Sequence, residues 1–460
     1  MLPKDIMSLI QEIEDKFPVH YWHVNNIPVW TFLRIELGLY CFFKETKEKK
    51  NQFKNRLNQG SNFFKTFLFY LRYKQEKMKP ADVFCLSDGL AYVHEHDVDI
   101  DPFFDPIQSF LKELGYSSQK MTQVQIPFLN LKTPPILMNP FLKIWFKLKA
   151  KYDVPNEVKL DQHEELRLFL EQKGLFCTWF SKKKLFEYVA ILSFWKAFFI
   201  KKLQIISPKK ALVVNYFNQP GFGLIWACKA LNIPVAEVQH GAAGPLHYAY
   251  AKWRQQSLLL PDYFLCWTKE DAQLVNEGLG KGGIFLGVPM IAYQKHHDIS
   301  VSDTEKFFLF SLQVHAYSDH FIRLLIEIIE KTPQYSWIIR RHPAQQKESD
   351  IEWALKQKPH IKNYEIQYPK TNPLHRVLPY VRLHLTHSSS IILDAKLWGI
   401  PTLILDPAGT QYYDGYINDK NPIIFSFQDF QKYKNSTVPI QQQPTAEEMK
   451  SLLLKFMTSD

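Results

Sequence analysis

The sequence predicts an α/β protein built from two Rossmann-like domains whose parallel sheets face a central cleft, preceded by an N-terminal helical segment. Three observations predict it. The chain has 460 residues, and single hydrophobic cores stop growing at roughly 250 to 300 residues, so two main domains are expected. From residue 211 onward, short apolar runs alternate with helical patterns in the manner of parallel βα units. A polar, aperiodic stretch at 288–306 (VPMIAYQKHHDISVSDTEK) separates two such series and reads as a linker. The expected division is a helical segment at 1–80, a first Rossmann-like domain at 81–290 and a second at 291–460.

Residues 1–80 are rich in Lys, Phe and Tyr and read as helical, with a charged break at KETKEKKNQFKNR. ADVFCLS (81–87) is the first strand, and the helix DPFFDPIQSFLKELGY is expected to begin after Pro106 and end at Gly115. FLKIWFKLKAKY and KKKLFEYVAILSFWKAFFIKKLQII are basic, aromatic helices. Each suits either a core face with a solvated Lys edge or an anionic bilayer surface. The first βα series then runs through ALVVNYF, GFGLIWACKALN, IPVAEVQHG, PDYFLCWT, KEDAQLVNEGLG and GIFLGVP. The second runs from FFLFSLQ through DHFIRLLIEIIEKTP, SWIIRRHP, HIKNYEIQYP, PLHRVLPYV, RLHLTHSSS and IILDAKLWG to IPTLILDP. A last helix, TAEEMKSLLLKFM, is free to pack back across the pair.

With 46% hydrophobic and 22% charged residues the chain has the composition of a folded protein. A formal net charge of +10 points to an anionic partner. No zinc-ligand spacing, RNA-recognition signature or Arg-rich tail is present, which excludes nucleic acid from the expected partners and leaves phosphorylated donors and an anionic membrane surface. The five cysteines are scattered through apolar runs and read as reduced core thiols. No signal-peptide pattern opens the chain and no apolar run is long enough to span a bilayer, so a cytoplasmic protein, peripheral at the inner face of the cell membrane, is expected.

Ligands of open parallel sheets sit beyond the carboxyl ends of the strands, so the residues after each strand carry the chemistry. Four elbows stand out: Gln239-His240-Gly241, Arg340-Arg341-His342-Pro343, Thr386-His387-Ser388-Ser389-Ser390 and Asp406-Pro407. The serines open a helix, whose free N–H groups suit a diphosphate, and Asp394 one turn later can accept from a sugar or ribose hydroxyl. Guanidinium groups bind phosphate through paired hydrogen bonds, with Arg341 and His342 favoured over Arg340. His240 would face these across the cleft as a general base or to orient the acceptor hydroxyl, with Gly241 admitting a ligand closely. Plain N-capping by serine and a buried structural histidine are the simpler readings of the same residues.

The order QHG, RHP, paired serines at a helix start with an acidic residue in that helix, then G-x-P, resembles GT-B glycosyltransferases of bacterial surface polysaccharide synthesis, capsule and lipopolysaccharide enzymes included. It is also similar to the CDP-glycerol glycerophosphotransferases. The resemblance covers residues 210–407. It implies a GT-B-like fold and metal-independent transfer of a sugar from a nucleotide-sugar donor to a saccharide or lipid-linked acceptor, with no cofactor. It further implies that His240 lies on the acceptor side, that Arg341 and His342 lie near the donor phosphates, that Ser389 and Ser390 bind phosphate and that Asp394 fills the acidic position. Together with the elbow reading, His240 is expected to be catalytic, Arg340, His387 and Ser388 to join the donor-binding set, and Gln239 and Gly241 to lie on the acceptor side or in the cleft. THSSS departs from the usual Asp or Gly before the serines. No metal site is expected, the D-x-D letters in DVDID (97–101) lying away from the donor elbows. HYWHVNNIPVWTFLRIELG is reminiscent of N-terminal segments of such enzymes, where Trp22, Trp30 and Arg34 would form an acceptor platform or, as a helical stripe, core. Glycerophosphate transfer, a nucleotide-sugar 2-epimerase and a non-catalytic membrane-associated scaffold are the competing functions.

Overall fold

The computed structural model describes residues 3–43, 70, 77–89, 92–95, 98–123, 135–241, 243–254, 256–279, 282–296, 307–313, 317–342, 345, 348–369, 371–405, 422–437 and 443–459. Two parallel sheets organise it. The first contains β1 (Val83–Ser87), β2 (Ser118–Thr122), β3 (Ile136–Leu137), β4 (Lys210–Val214), β5 (Val235–Val238), β6 (Tyr263–Cys266) and β7 (Gly283–Phe285), side by side in the order β7-β6-β5-β4-β1-β2-β3. The second contains β8 (Phe307–Ser311), β9 (Trp337–Arg340), β10 (Tyr364–Gln367), β11 (Val381–Thr386) and β12 (Thr402–Ile404), in the order β10-β9-β8-β11-β12. Every pairing in both sheets is parallel.

Both sheets follow the doubly wound rule, with the first strand of each series beside the fourth and the order reversing between them. The strands are buried apolar runs, as sheets covered on both faces require. Their helices, in chain order, are α1 (Pro3–Lys16), α2 (Trp30–Phe43), α3 (Phe104–Glu113), α4 (Phe141–Ala150), α5 (His163–Gln172), α6 (Lys182–Ile206), α7 (Gln219–Ala230), α8 (Lys269–Leu279), α9 (Pro289–His296), α10 (Asp319–Glu330), α11 (Asp350–Lys356), α12 (Leu374–Val377), α13 (Ile391–Leu397), α14 (Phe427–Tyr433) and α15 (Ala446–Thr458).

Four elements differ from the sequence expectation. Strands β2 and β3 extend the first sheet although SQKMT and IL carry no clear strand pattern; β2 is held by its backbone ladder to β1 and by the buried Lys120 between Asp101 and Asp105. Helix α3 starts at Phe104 rather than after Pro106, because Asp101 Oδ1 accepts from the N–H groups of Phe103 and Phe104 and a proline is tolerated in a first turn. Part of the expected linker is helical: α9 begins at Pro289 and buries Met290, Ile291 and Ala292. Residues 297–306, the charged break at 44–56 and Asp406-Pro407 lie outside the described residues.

The N-terminal helices do not form a separate layer. α1 and α2 share one apolar core with the first sheet and α6. Trp22, Trp30 and Arg34 are buried in it, so the acceptor-platform reading of these three gives way to the core reading. Arg34 stacks over Trp253, donates to the carbonyl of Ala251 and faces Glu14, which also accepts from the Trp30 indole. The last helix, α15, does cross back: Met449, Leu453 and Phe456 join Leu212, Val238 and Leu265 of the first sheet.

Helices α6 and α7 approach closely in this core. A Cβ on Gly223 would lie 2.3 Å from Trp195 Cβ and press on the α6 backbone. Overpacking of this kind costs roughly 1 to 3 kcal/mol, against about 1 kcal/mol gained from helix propensity. Gly223→Ala is therefore expected to destabilise the protein by about 1 kcal/mol or more, read as a lower urea midpoint at unchanged slope.

Candidate active site

The carboxyl ends of the two sheets face each other across a cleft of about 480 Å³. The first domain contributes Gly89 after β1, Tyr92, Phe103, His240 after β5, Trp267 after β6 and Met290 of α9. The second contributes Leu312 after β8, Arg340, Arg341 and His342 at the end of β9, Tyr368 after β10, and Ser389, Ser390, Asp394 and Trp398 around α13. Gly89 and Leu312 follow the first strand of each series, at the switch points where such folds bind ligands. Gly89 has φ +76°, and a Cβ there would meet the Gln123 carbonyl oxygen at 2.4 Å, so only glycine fits this turn.

His240 stands on the first wall with its side chain 22% exposed. Its Nδ1 is 3.4 Å from Glu237 Oε1, and Glu237 has 0% exposure within β5. Burial opposes the imidazolium, but the nearby carboxylate of Glu237, helped by Asp88, outweighs it and raises the His240 pKa. Burial raises the pKa of Glu237 too, while His240, the Tyr250 hydroxyl at 3.0 Å and the Tyr216 N–H at 3.4 Å stabilise its carboxylate. A carboxylate behind an imidazole orients the ring and supports its positive form, which suits a histidine that takes up a proton.

Gln239 and Gly241 fall outside the cleft lining. Gln239 is a buried bracket: its amide donates to the Gly241 carbonyl and to Asp271, and its oxygen accepts from the Trp267 N–H at 2.6 Å. The side chain thereby ties the His240 elbow to the Trp267 elbow. At Gly241 a Cβ would meet no atom within 4 Å, so the fold itself does not demand glycine there.

The second wall divides its charged groups differently from the sequence expectation. Arg341 lines the cleft but is committed to Glu352 through two hydrogen bonds of 2.6 and 2.8 Å and stacks over Tyr368. Arg340 is buried and donates to the Asn372 carbonyl at 2.6 Å. Burial lowers its pKa to about 10, with Asp394 acting in the opposite sense. His342 also lines the cleft, and burial lowers its pKa. Ser389 is the capping serine: its N–H donates to Thr386 Oγ1 at 2.9 Å and its hydroxyl accepts from Ile391 N–H at 3.3 Å. Ser390 is exposed to the cleft and makes no side-chain cap. His387 and Ser388 turn away from it, with His387 edge-on to Tyr317 and Phe321 and its Nδ1 2.9 Å from the Ser388 hydroxyl.

Several residues in the cleft wall or directly behind it were not legible as site residues. Glu237 had the clearest signal, an acid inside the otherwise apolar VAEV strand. Asp88, Tyr92, Phe103, Trp267 and Tyr368 had none beyond following or flanking a strand. The antiparallel strands Val93–Glu95 and Val98–Ile100 lie beside the cleft, whose lining includes Val93 and Pro102, rather than away from it, but Asp101 is engaged by backbone donors and Lys120. Among the described residues no group of His, Cys, Asp or Glu could hold a metal ion.

Two Rossmann-like domains with a shared cleft at their carboxyl edges define this chain as a paired-Rossmann α/β protein, the architecture that the GT-B resemblance implied. No protein-family model and no curated protein sequence matches it. Among solved structures it is similar to UDP-GlcNAc 2-epimerase from Neisseria meningitidis bound to UDP-GlcNAc, at 11% identity and TM-score 0.45, over 82% of this chain and 100% of that one. UDP-GlcNAc 2-epimerase from Methanocaldococcus jannaschii gives 11% and 0.46 over 82% and 99% of the two chains. The glycosyltransferase SnogD from Streptomyces nogalater gives 12% and 0.40 over 83% and 100%. The fold assignment rests on strand order and not on these likenesses.

Burial lifts the Asp394 carboxyl to about 7, against the pull of a backbone hydrogen bond and of Arg340. Between the ordinary carboxyl value and that one, the folded protein holds a proton that the unfolded chain has released. Stability therefore falls as pH rises through about 4 to 7, at up to about 1.4 kcal/mol per pH unit from this group. Asp394→Asn is expected to flatten that part of a plot of unfolding free energy against pH.

Proposed function

We propose that this protein is a glycosyltransferase that moves a sugar from a nucleotide-sugar to a saccharide or lipid-linked acceptor in bacterial surface polysaccharide synthesis. The observation that carries the reading is the division of the cleft: a carboxylate-backed histidine on one wall, and Arg340, His342, Ser390 and Asp394 on the other. His240 takes the proton from an acceptor hydroxyl as its oxygen bonds to the anomeric carbon. The bond from that carbon to the diphosphate oxygen breaks, and the leaving charge develops beside Arg340 and the exposed Ser390. Fixed donors aimed at developing charge are worth most in a site shielded from water. Arg341 steadies this wall through Glu352 and Tyr368. No cofactor or metal is assigned a role in the proposed reaction.

A second reading has an observation of its own. Glu237 and Asp88 place acidic groups of the first domain beside His240, as proton abstraction and return in a nucleotide-sugar 2-epimerase would need. The two readings separate on the acceptor. A transferase releases nucleotide only when acceptor is present, whereas an epimerase converts the sugar without it.

Incubating the protein with UDP-, GDP- and CDP-sugars and CDP-glycerol, with and without acceptor extract, is expected to give acceptor-dependent nucleotide release from a sugar donor. Release from CDP-glycerol alone would move the assignment to glycerophosphate transfer, and neither turnover nor nucleotide binding would remove the enzymatic reading. His240→Ala is expected to lower turnover by about 100-fold or more with donor binding kept. Because Glu237 raises the His240 pKa, Glu237→Gln is expected to move the acid limb of the pH–rate profile to lower pH.

A further inference from the structure

Helix α4 is apolar on two opposite faces. Leu142, Phe146 and Ala150, spaced four apart, pack inward, with Phe146 against Phe194 and Trp195 of α6 at 5.6 and 4.8 Å. Phe141, Ile144, Trp145 and Leu148 follow the other helical stripe, and Tyr152 continues it past the C-terminus. That stripe faces outward, with exposures of 40% for Phe141, 42% for Ile144, 62% for Trp145, 51% for Leu148 and 87% for Tyr152. No other described helix carries so many exposed large apolar side chains within its own length.

The lysines lie on the seams between the two faces. At 100° per residue, Lys147 and Lys151 border the exposed stripe on one side and Lys149 on the other, and Lys149 folds over Phe194. No Asp or Glu occurs anywhere from Leu114 to Tyr152. A protein interface is depleted in lysine, whereas a helix lying in a bilayer surface has an apolar stripe with Trp and Phe flanked by Lys at headgroup height. The chain as a whole is basic, at +10.

We propose that the outward face of α4 docks on an anionic lipid bilayer, with Trp145 and Leu148 inserted and Lys147, Lys149 and Lys151 at the phosphates. The vesicle assay needs no substrate, so this inference stands or falls separately from the proposed reaction.

Co-sedimentation of the full chain with phosphatidylcholine vesicles, with and without phosphatidylglycerol, tests it. Binding is expected with phosphatidylglycerol and not with phosphatidylcholine alone. Trp145→Ser with Leu148→Ser should weaken it about tenfold or more, and Lys147→Glu with Lys151→Glu should abolish the preference for anionic lipid. These side chains are exposed, so unfolding curves should match the unsubstituted chain; where the apolar variant unfolds, the lysine variant decides. Absence of binding to anionic vesicles, or binding that neither variant alters, overturns the proposal. A concentration-dependent dimer that Trp145→Ser with Leu148→Ser dissolves, with no vesicle binding, assigns the face to a second copy of the chain instead.

Discussion

The geometry of the cleft depends on one small apolar seam between the domains. Trp267 at the end of β6 packs with Ile392, Leu393 and Ile404 of the second domain, and Phe103 and Val288 flank them. A seam of a few side chains carries little surface, so the return of α15 to the first sheet matters as much. Together they set two carboxyl edges opposite each other, and each domain then supplies its elbows to one shared space. Trp267 serves both purposes: its ring lines the cleft while its backbone N–H is held by Gln239.

The two walls solve opposite electrostatic problems. In the first, a carboxylate sits at full burial in the middle of β5, a position whose desolvation cost is tolerable only with partners. Tyr250, the Tyr216 N–H and His240 supply them, so the histidine is part of what makes the buried acid stable. In the second, Arg341 and Glu352 satisfy each other, which fixes the guanidinium and leaves less of it for a ligand. Arg340 and Asp394 are instead only partly compensated, and burial moves the pKa of each toward its neutral form. Groups held in that condition respond most to an arriving charge.

Most of the sheet strands after residue 211 were legible because they are short, largely apolar runs buried on both faces, as ALVV, FFLF and WII are. The elbows were legible for the same reason: a polar cluster directly after such a run has nowhere to be but the carboxyl edge. What each polar residue does there was not. Arg340 and Arg341 are neighbours with the same chemistry, and only the position of Glu352, eleven residues on, decides which is tied up. Ser388, Ser389 and Ser390 differ by where a single turn points them. Strands β2 and β3 escaped notice because pairing with β1, not composition, makes them strands.

Charge placement also separates what the net charge merged. The seam lysines of α4 lie outside the cleft lining, and among the described residues the guanidinium groups that line the cleft each stand near an acid: Arg340 by Asp394, Arg341 on Glu352. An excess of +10 spread in this way is not the signature of a cleft built to attract anions by field alone. The cleft has to recognise by hydrogen-bond geometry, while the basic excess acts at surfaces. Under the proposed reaction, this arrangement separates recognition of a donor in the cleft from attraction of the protein to an anionic surface.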